Sequence, residues 1–210
     1  MTQASPLPQP VSSPAALGRN LRRARLERGL SLRALARRLD VSPSLVSQIE
    51  TGRNQPSVRT LYAMVTELGV SLDDVFQLVD EEEVEAPVAS NNGGAAGGRF
   101  VQRAGERNAI DLETGVRWER LTTHDVPGVE FLYVVYPPRS ESSPADALVR
   151  HGGRELGYVC TGELAVTLGF EQHILGPGDS VSFDSTIPHR LHNDGDEVVT
   201  AVWIVLGRHA

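Results

Sequence analysis

The chain has 210 residues with 27 acidic and 20 basic side chains, which gives a formal net charge of −7. This length allows two domains with separate cores, and a lone cysteine, Cys160, excludes an internal disulfide and indicates a reducing compartment. No apolar run is as long as a membrane span, and the first residues lack the basic start and apolar core of an export signal. We therefore expect a cytoplasmic protein.

The charge is distributed unevenly along the chain. Residues 1–79 carry ten arginines against six acidic residues, whereas residues 80–85 alone contain five acidic side chains. The remainder has ten arginines against sixteen acidic residues. The basic excess therefore lies in the N-terminal part, which is the part we expect to meet a polyanion such as DNA.

The N-terminal part of the sequence predicts an arm followed by five short helices. Residues 1–13, rich in Pro, Ser and Gln, are typical of a disordered arm. Apolar residues then recur at helical spacing in five segments. These segments are 15–28, the two that follow the N-cap residues Ser31 and Ser42, 57–68, and 71–78. We therefore predict a helical domain over residues 14–79.

The third predicted helix, within LDVSPSLVSQIETG, has a face that a hydrophobic core does not explain. Its apolar residues Leu45, Val46 and Ile49 are spaced to face a core. The other side carries only small or uncharged residues, namely Pro43, Ser44, Ser47 and Gln48. Short side chains at a helix N-terminus let the backbone approach base edges in the major groove of DNA, where Gln48 can form hydrogen bonds. The alternative is a face that is simply solvated.

The segment SLRALARRLDVSPSLVSQIETGRNQPSVRTLYAMVTELGVSLDDVF resembles the helix-turn-helix domain of the phage-repressor-like, or XRE, family. The similarity includes the alanine of the second helix, the Ser-Gln-Ile-Glu-x-Gly end of the third, and the Pro-Ser before the fourth. Asp40 stands where the family usually has glycine, and aspartate tolerates a positive φ better than most residues. The resemblance implies that the third helix is the recognition helix. The implied DNA contacts are Ser42, Pro43, Ser44, Ser47, Gln48, Arg53 and Asn54.

The second half of the sequence has the pattern of a β-domain. Residues 80–98 change from acidic to Gly-rich, which predicts a flexible linker. From 99 to 210, β-rich runs such as FLYVVYPP and EVVTAVWIVLG are bounded by Gly, Pro and Asp and predict an antiparallel barrel or sandwich. The predicted fold class is therefore α+β and multidomain, with a five-helix helix-turn-helix domain before an antiparallel β-barrel.

Two motifs in the β-domain, HGGRELGYVCTGE and GPGDSVSFDSTIPHRLHN, resemble the paired motifs of the cupin family of double-stranded β-helix barrels. The resemblance implies a metal site formed by His151, Glu155 and His189, a set of ligands that suits Fe, Ni or Zn. Val149 stands where many cupins have a further histidine, and it cannot bind a metal. The same polar groups could instead line a metal-free pocket for an organic ligand.

Several other residues of the β-domain are weaker candidates. Arg150, Tyr133 and Trp203 could line the ligand pocket. Cys160 lies in a predicted strand, where we expect a small packed side chain. The remaining histidines have no partner at ligand spacing and are expected on the surface or in loops; they are His124, His173, His192 and His209.

The two resemblances together imply a transcriptional regulator. A homodimer, paired through the cupin domains, would place its recognition helices in successive major grooves of double-stranded DNA, and a small-molecule effector, a divalent metal or both would bind in the barrel. The alternative is a mononuclear non-haem iron enzyme, because a phosphonate epoxidase family has the same domain order. That family relies on a lysine of its helical domain, and this chain contains no lysine. We therefore expect a regulator and not an enzyme.

Overall fold

The computed structural model of the protein describes residues 14–77 and 100–207. The predicted arm at 1–13, the predicted linker at 80–98 and His209 lie outside these ranges. Among the described residues, no helix is both long enough and apolar enough to span a bilayer.

The first described range contains the five predicted helices. They are α1 (Pro14–Glu27), α2 (Leu32–Arg38), α3 (Pro43–Glu50), α4 (Val58–Leu68) and α5 (Leu72–Gln77). Helices α2, α3 and α4 each begin at a serine whose hydroxyl accepts a hydrogen bond from a backbone N–H three residues later, at 3.1 Å in each case, and Ser71 before α5 accepts from the N–H of Asp74 at 2.9 Å. These caps at Ser31, Ser42 and Ser57 satisfy N–H groups that have no partner within the helix. The cap prediction is confirmed at Ser31 and Ser42.

The turn between α2 and α3 shows why the helical domain folds as it does. Asp40 has a φ of 53°, the left-handed conformation that we expected at this position. Helices α1 and α3 approach each other closely at Gly18. A Cβ at this position would lie only 2.4 Å from the carbonyl oxygen of Ile49. Leu21, Leu35 and Val46 are fully buried in the core that results.

The second described range contains nine strands. They are β1 (Ala109–Asp111), β2 (Arg117–Arg120), β3 (Val129–Tyr136), β4 (Arg154–Thr161), β5 (Leu164–Leu168), β6 (Glu171–Leu175), β7 (Ser180–Asp184), β8 (His189–His192) and β9 (Val199–Leu206). Strands β1 and β2 lie outside the β-rich runs that predict the other strands. Both strands are short, with the sequences AID in β1 and RWER in β2. Neither has the run of apolar β-forming residues that marks the longer strands.

All strand pairs are antiparallel and form two sheets. The larger sheet has the order β1-β2-β3-β9-β4-β7, and the smaller has the order β6-β5-β8. Inward-facing residues of both sheets share one hydrophobic core, which includes Val134 and Val205 from the larger sheet and Val166 and Leu191 from the smaller one. The predicted antiparallel β-domain is confirmed.

Helix α4 packs against the open end of the β-domain. Its residues Val58 and Tyr62 line an internal cavity of the barrel. The backbone N–H of Glu113 donates to the carbonyl oxygen of Pro56 at 3.1 Å, which ties the start of α4 to the β-domain. The helical domain therefore forms part of the wall of the barrel interior.

Candidate functional site

The expected DNA-binding face of α3 is open to solvent. Pro43, Ser44 and Gln48 are exposed, and Ser47 is half-buried. The side chain of Ser42 is engaged as the N-cap, since its hydroxyl accepts from the N–H of Leu45. The apolar side of the same helix is buried through Val46 and Ile49, so the exposed face is the one that can reach a partner.

The loop after α3 is fixed beside this face. The backbone N–H groups of Arg53 and Asn54 donate to the carbonyl oxygen of Gln48 at 2.9 and 3.2 Å. Gly52 has a φ of +67°, and a Cβ there would lie 2.6 Å from the Cα of Ala15. The side chain of Arg53 is exposed and that of Asn54 is half-buried. Both expected phosphate contacts therefore lie next to the end of α3.

A buried ion pair sets the position of α3. The guanidinium of Arg25 in α1 donates to both carboxylate oxygens of Glu50, at 2.6 and 2.9 Å, and also to the carbonyl oxygen of Leu30 at 2.6 Å. Both side chains are almost fully buried. A bidentate pair of this kind is directional, so it fixes the end of α3 relative to α1.

The three expected metal ligands come together inside the barrel. Glu155 belongs to β4, His189 begins β8, and His151 lies in the loop before β4. The Nε2 atoms of His151 and His189 each lie 3.1 Å from Oε1 of Glu155. One ligand atom from each residue lies within 4.8 Å of the others. This arrangement could hold a metal ion.

Hydrogen bonds to the other atoms of these groups fix their orientation. Nδ1 of His151 lies 3.0 Å from the carbonyl oxygen of Gly152, and Nδ1 of His189 lies 2.8 Å from that of Ile187. A carbonyl oxygen has no proton, so each Nδ1 must donate and each Nε2 is free to bind a cation. Oε2 of Glu155 accepts from the indole N–H of Trp203 at 2.7 Å.

The remaining atoms of the cluster favour a cation between them. Oε1 of Glu155 and Nε2 of His151 are buried, and the polar atoms that they face within the described part of the chain are each other and, for Oε1, Nε2 of His189. Burial by itself raises the pKa of Glu155, but the contacts and charge of His151 and His189 outweigh it, so the pKa is lowered and the carboxylate stays ionised. Two imidazole lone pairs facing a carboxylate oxygen repel it unless a proton or a metal ion lies among them. The donor set therefore fits a divalent metal.

The cavity beside these residues is small. Its volume is about 30 Å³, and its wall includes Tyr136, Val149 and Trp203. Burial and the charge of Glu155 raise the pKa of Tyr136, so its phenol stays protonated. Val149 pairs with His189 through two backbone hydrogen bonds and adds an isopropyl group where a fourth ligand would stand. This volume accommodates an ion with about one water molecule, not an organic ligand.

Tyr62 of α4 closes the cavity above His151. The two rings are stacked, with centroids 4.6 Å apart and planes inclined by 28°. The phenol O–H of Tyr62 donates to Oε2 of Glu130 at 3.3 Å, and its ring lies 5.3 Å from that of Trp118. Tyr62 is only 8% exposed. The helical domain therefore contacts a candidate metal ligand directly.

The three expected pocket residues lie in different places. Trp203 lines the cavity and orients Glu155. Arg150 is exposed outside the cavity, in a groove beside α4. Tyr133 does not face the cavity, because it alternates with the buried residues of β3. The centroid of its ring lies 5.1 Å from the guanidinium carbon of Arg107. Strand alternation could have identified Tyr136 instead, whereas no pattern within either domain indicates Tyr62.

Two further interpretations are corrected by the structure. His192 was expected on the surface or in a loop, but it is in β8 and only 4% exposed, with Nδ1 2.9 Å from Oδ1 of Asp194. Cys160 was expected to be packed, and it is only partly buried. His124 and His173 are exposed as expected.

Two protein-family models match the chain. The helix-turn-helix model matches residues 21–75, and the cupin domain model matches residues 123–205. The first match lies within the helical domain and the second within the β-domain.

Similar proteins span most of the chain. The HTH-type transcriptional regulator PuuR of Escherichia coli (strain K12) is 24% identical over 178 residues, which are 84% of this chain and 86% of that protein. The cupin-domain-containing oxidoreductase srdB of Neurospora crassa is 31% identical over 147 residues, which are 68% of this chain and 70% of that protein. The crystal structure of an HTH_3 family transcriptional regulator from Vibrio cholerae has the same fold, with a TM-score of 0.62, 21% identity, and coverage of 93% of this chain and 97% of that one.

Proposed function

Because the chain belongs to the XRE-type helix-turn-helix regulators with a C-terminal cupin domain, we propose that occupancy of its barrel site controls how tightly it binds an operator. It is a DNA-binding transcriptional regulator, as expected, and the matches to regulators support this function over an enzymatic one. We further propose a metal site, a route of communication between that site and the helical domain, and a dimer, and we infer that the protein lies with its DNA in the cytoplasm.

The DNA contacts we propose are those on the open face of α3. Gln48 reads a base edge, and Ser44 and Ser47 allow the close approach that this requires. Ser42, Pro43, Arg53 and Asn54 lie toward the phosphates. Support comes from the exposure of this face and from the fixed loop beside it. The helix is held rigidly by the Arg25–Glu50 pair, so its register on DNA is defined by the protein core.

We propose that His151, Glu155 and His189 hold one divalent ion, either Fe, Ni or Zn. The ion would supply positive charge to a cluster that otherwise sets lone pairs against a carboxylate. Three ligands leave coordination positions that water can occupy. The support is the buried approach of both Nε2 atoms to Oε1 of Glu155 and the orientation of each Nδ1 by a backbone carbonyl.

We propose a homodimer formed through the β-domain. Phe170 directly precedes the edge strand β6 and Ile174 lies within it, and both side chains are exposed. Exposed apolar side chains on an edge strand are a liability that pairing with another chain removes. A dimer would also present two recognition helices to successive major grooves about 34 Å apart.

The observation that supports regulation is the contact between Tyr62 and His151. A change at the barrel site that moves His151 must also change the packing of Tyr62, and Tyr62 belongs to the helical domain. Such coupling is limited by the difference in ligand affinity between the two arrangements. The test is operator affinity, measured with and without metal, for the wild type and for His189→Ala. We expect metal to shift the affinity of the wild type alone, and an equal shift in both proteins would refute the proposal.

A further inference from the structure

A groove of about 470 Å³ lies between α4 and the loop that leads into β4. Its wall is formed by both domains, with Arg38, Arg59 and Glu67 from the helical domain and Arg150 from the β-domain. This volume is in the range of sites that hold small organic ligands. The barrel cavity, at about 30 Å³, is not.

The groove has an excess of positive charge. Arg38 is neutralised by Glu67, since Nη1 lies 2.5 Å from Oε1 of that residue. Within residues 14–77 and 100–207, the side chains of Arg59 and Arg150 form no hydrogen bond and no ion pair, and both are exposed. Two uncompensated guanidinium groups therefore line the same concave surface.

Several other arginines of the β-domain are paired with carboxylates. Arg107 and Arg117 each lie 3.1 Å from a carboxylate oxygen of Glu119, and Arg190 pairs with Glu141. The whole chain is acidic, with a net charge of −7, so carboxylates are available to pair with arginines. Among the residues that the structure describes, the two arginines of the groove form no such pair, so both can bind an anion from outside.

The groove also reaches the candidate metal site. Tyr62 and Val149 line the groove on one side and the cavity on the other. His151 is a wall residue of the groove as well. A ligand in the groove would therefore contact the residues that connect α4 with the barrel.

We propose that this groove binds a small organic anion, a carboxylate or a phosphate ester, held by Arg59 of one domain and Arg150 of the other. A guanidinium group forms paired, charge-assisted hydrogen bonds with either type of oxyanion. An anion held by both arginines bridges the two domains. Its role as the effector rests on the function proposed above, whereas its binding does not.

The experiment measures anion binding by calorimetry on the full-length protein without DNA. The probes are inorganic phosphate and malonate, each compared with chloride at the same ionic strength. The test variant is Arg59→Gln/Arg150→Gln. The control is Arg22→Gln/Arg103→Gln, which removes the same charge at two exposed positions outside the groove. We expect the test variant to bind at least about tenfold more weakly than the wild type and the control to match the wild type.

The two probes identify the chemistry of the ligand. Loss of phosphate binding alone indicates a phosphate ester, loss of malonate binding alone indicates a carboxylate, and loss of both indicates a site for either.

No binding of either probe to the wild type, equal binding by the test variant, or an equal loss in the control would overturn the proposal. A loss of random-DNA affinity without a loss of anion binding would overturn it too and assign the arginines to the DNA interface. Operator affinity measured with the bound anion separates the two proposals, because an unchanged value refutes regulation and leaves the groove site intact.

Discussion

Tyr62 of the DNA-binding domain stacks on His151 of the barrel, with ring centroids 4.6 Å apart. The same tyrosine donates to Glu130 at 3.3 Å, so one side chain connects α4 with both a candidate metal ligand and β3. His151 is oriented by the carbonyl of Gly152 on its other nitrogen. A shift of the imidazole is therefore transmitted to α4 through direct contact.

Removal of the His189 imidazole should abolish metal uptake. His189→Ala leaves two ligands in the buried cluster, too few to hold a divalent ion firmly. We expect the wild type to approach one Fe(II), Ni(II) or Zn(II) per chain by elemental analysis after loading. The control is His173→Ala, because His173 is exposed on β6 and its loss should leave uptake unchanged. Equal uptake by both variants would exclude the three-residue site.

Gly157→Ala should weaken metal binding from a position that is not a ligand. A Cβ at Gly157 would lie 2.0 Å from the ring of Trp203, whose N–H orients Glu155. Displacing a partner of a metal ligand typically costs about 10–100-fold in metal affinity. Competition with a chelator measures the change. Gly105→Ala is the control, since its Cβ meets nothing within 4 Å, and comparable affinities for the two variants would contradict this role of Trp203.

The Arg25–Glu50 pair should account for a large part of the stability of the helical domain. Arg25→Ala leaves the Glu50 carboxylate buried without a partner and should lower the free energy of unfolding by about 3–5 kcal/mol. Arg23→Ala is the matched control, because its 3.9 Å contact with Glu27 is exposed and worth about 0.3–0.5 kcal/mol. Urea denaturation followed by circular dichroism gives both values. Losses of similar size would show that the buried pair does not position α3.

Gln48 and Arg53 should affect DNA binding in different ways. Gln48→Ala should cost about 1–3 kcal/mol at a site selected from a random DNA pool and relax the preference at one base position. Arg53→Ala should weaken binding to all sequences alike and reduce the dependence on salt. Fluorescence anisotropy on selected and random DNA measures both. If Gln48→Ala lost as much affinity on random DNA, Gln48 would not read a base.

Much of this architecture could be predicted because its signals are local. The serine caps, the helical spacing and the cupin-like motifs each lie within a few residues, and they indicated α2, α3 and the cluster of His151, Glu155 and His189. The short strands β1 and β2 carry no comparable run. Tyr133 was proposed for the pocket without knowledge of strand alternation, and the inward residue of β3 is Tyr136. The contact of Tyr62 with His151 depends on how the two domains pack, and spacing within one domain carries no information about it.

The most direct test of the account measures operator affinity for the wild type, Tyr62→Phe and Tyr62→Ala, each with and without the metal that the barrel takes up. Tyr62→Phe keeps the ring on His151 and loses the hydrogen bond to Glu130, whereas Tyr62→Ala loses both contacts. We expect metal to change the Kd of the wild type by about fivefold or more, to have a measurable effect in Tyr62→Phe, and to have none in Tyr62→Ala. A metal-dependent change in Tyr62→Ala as large as that of the wild type, or no change in the wild type, would contradict coupling through this tyrosine.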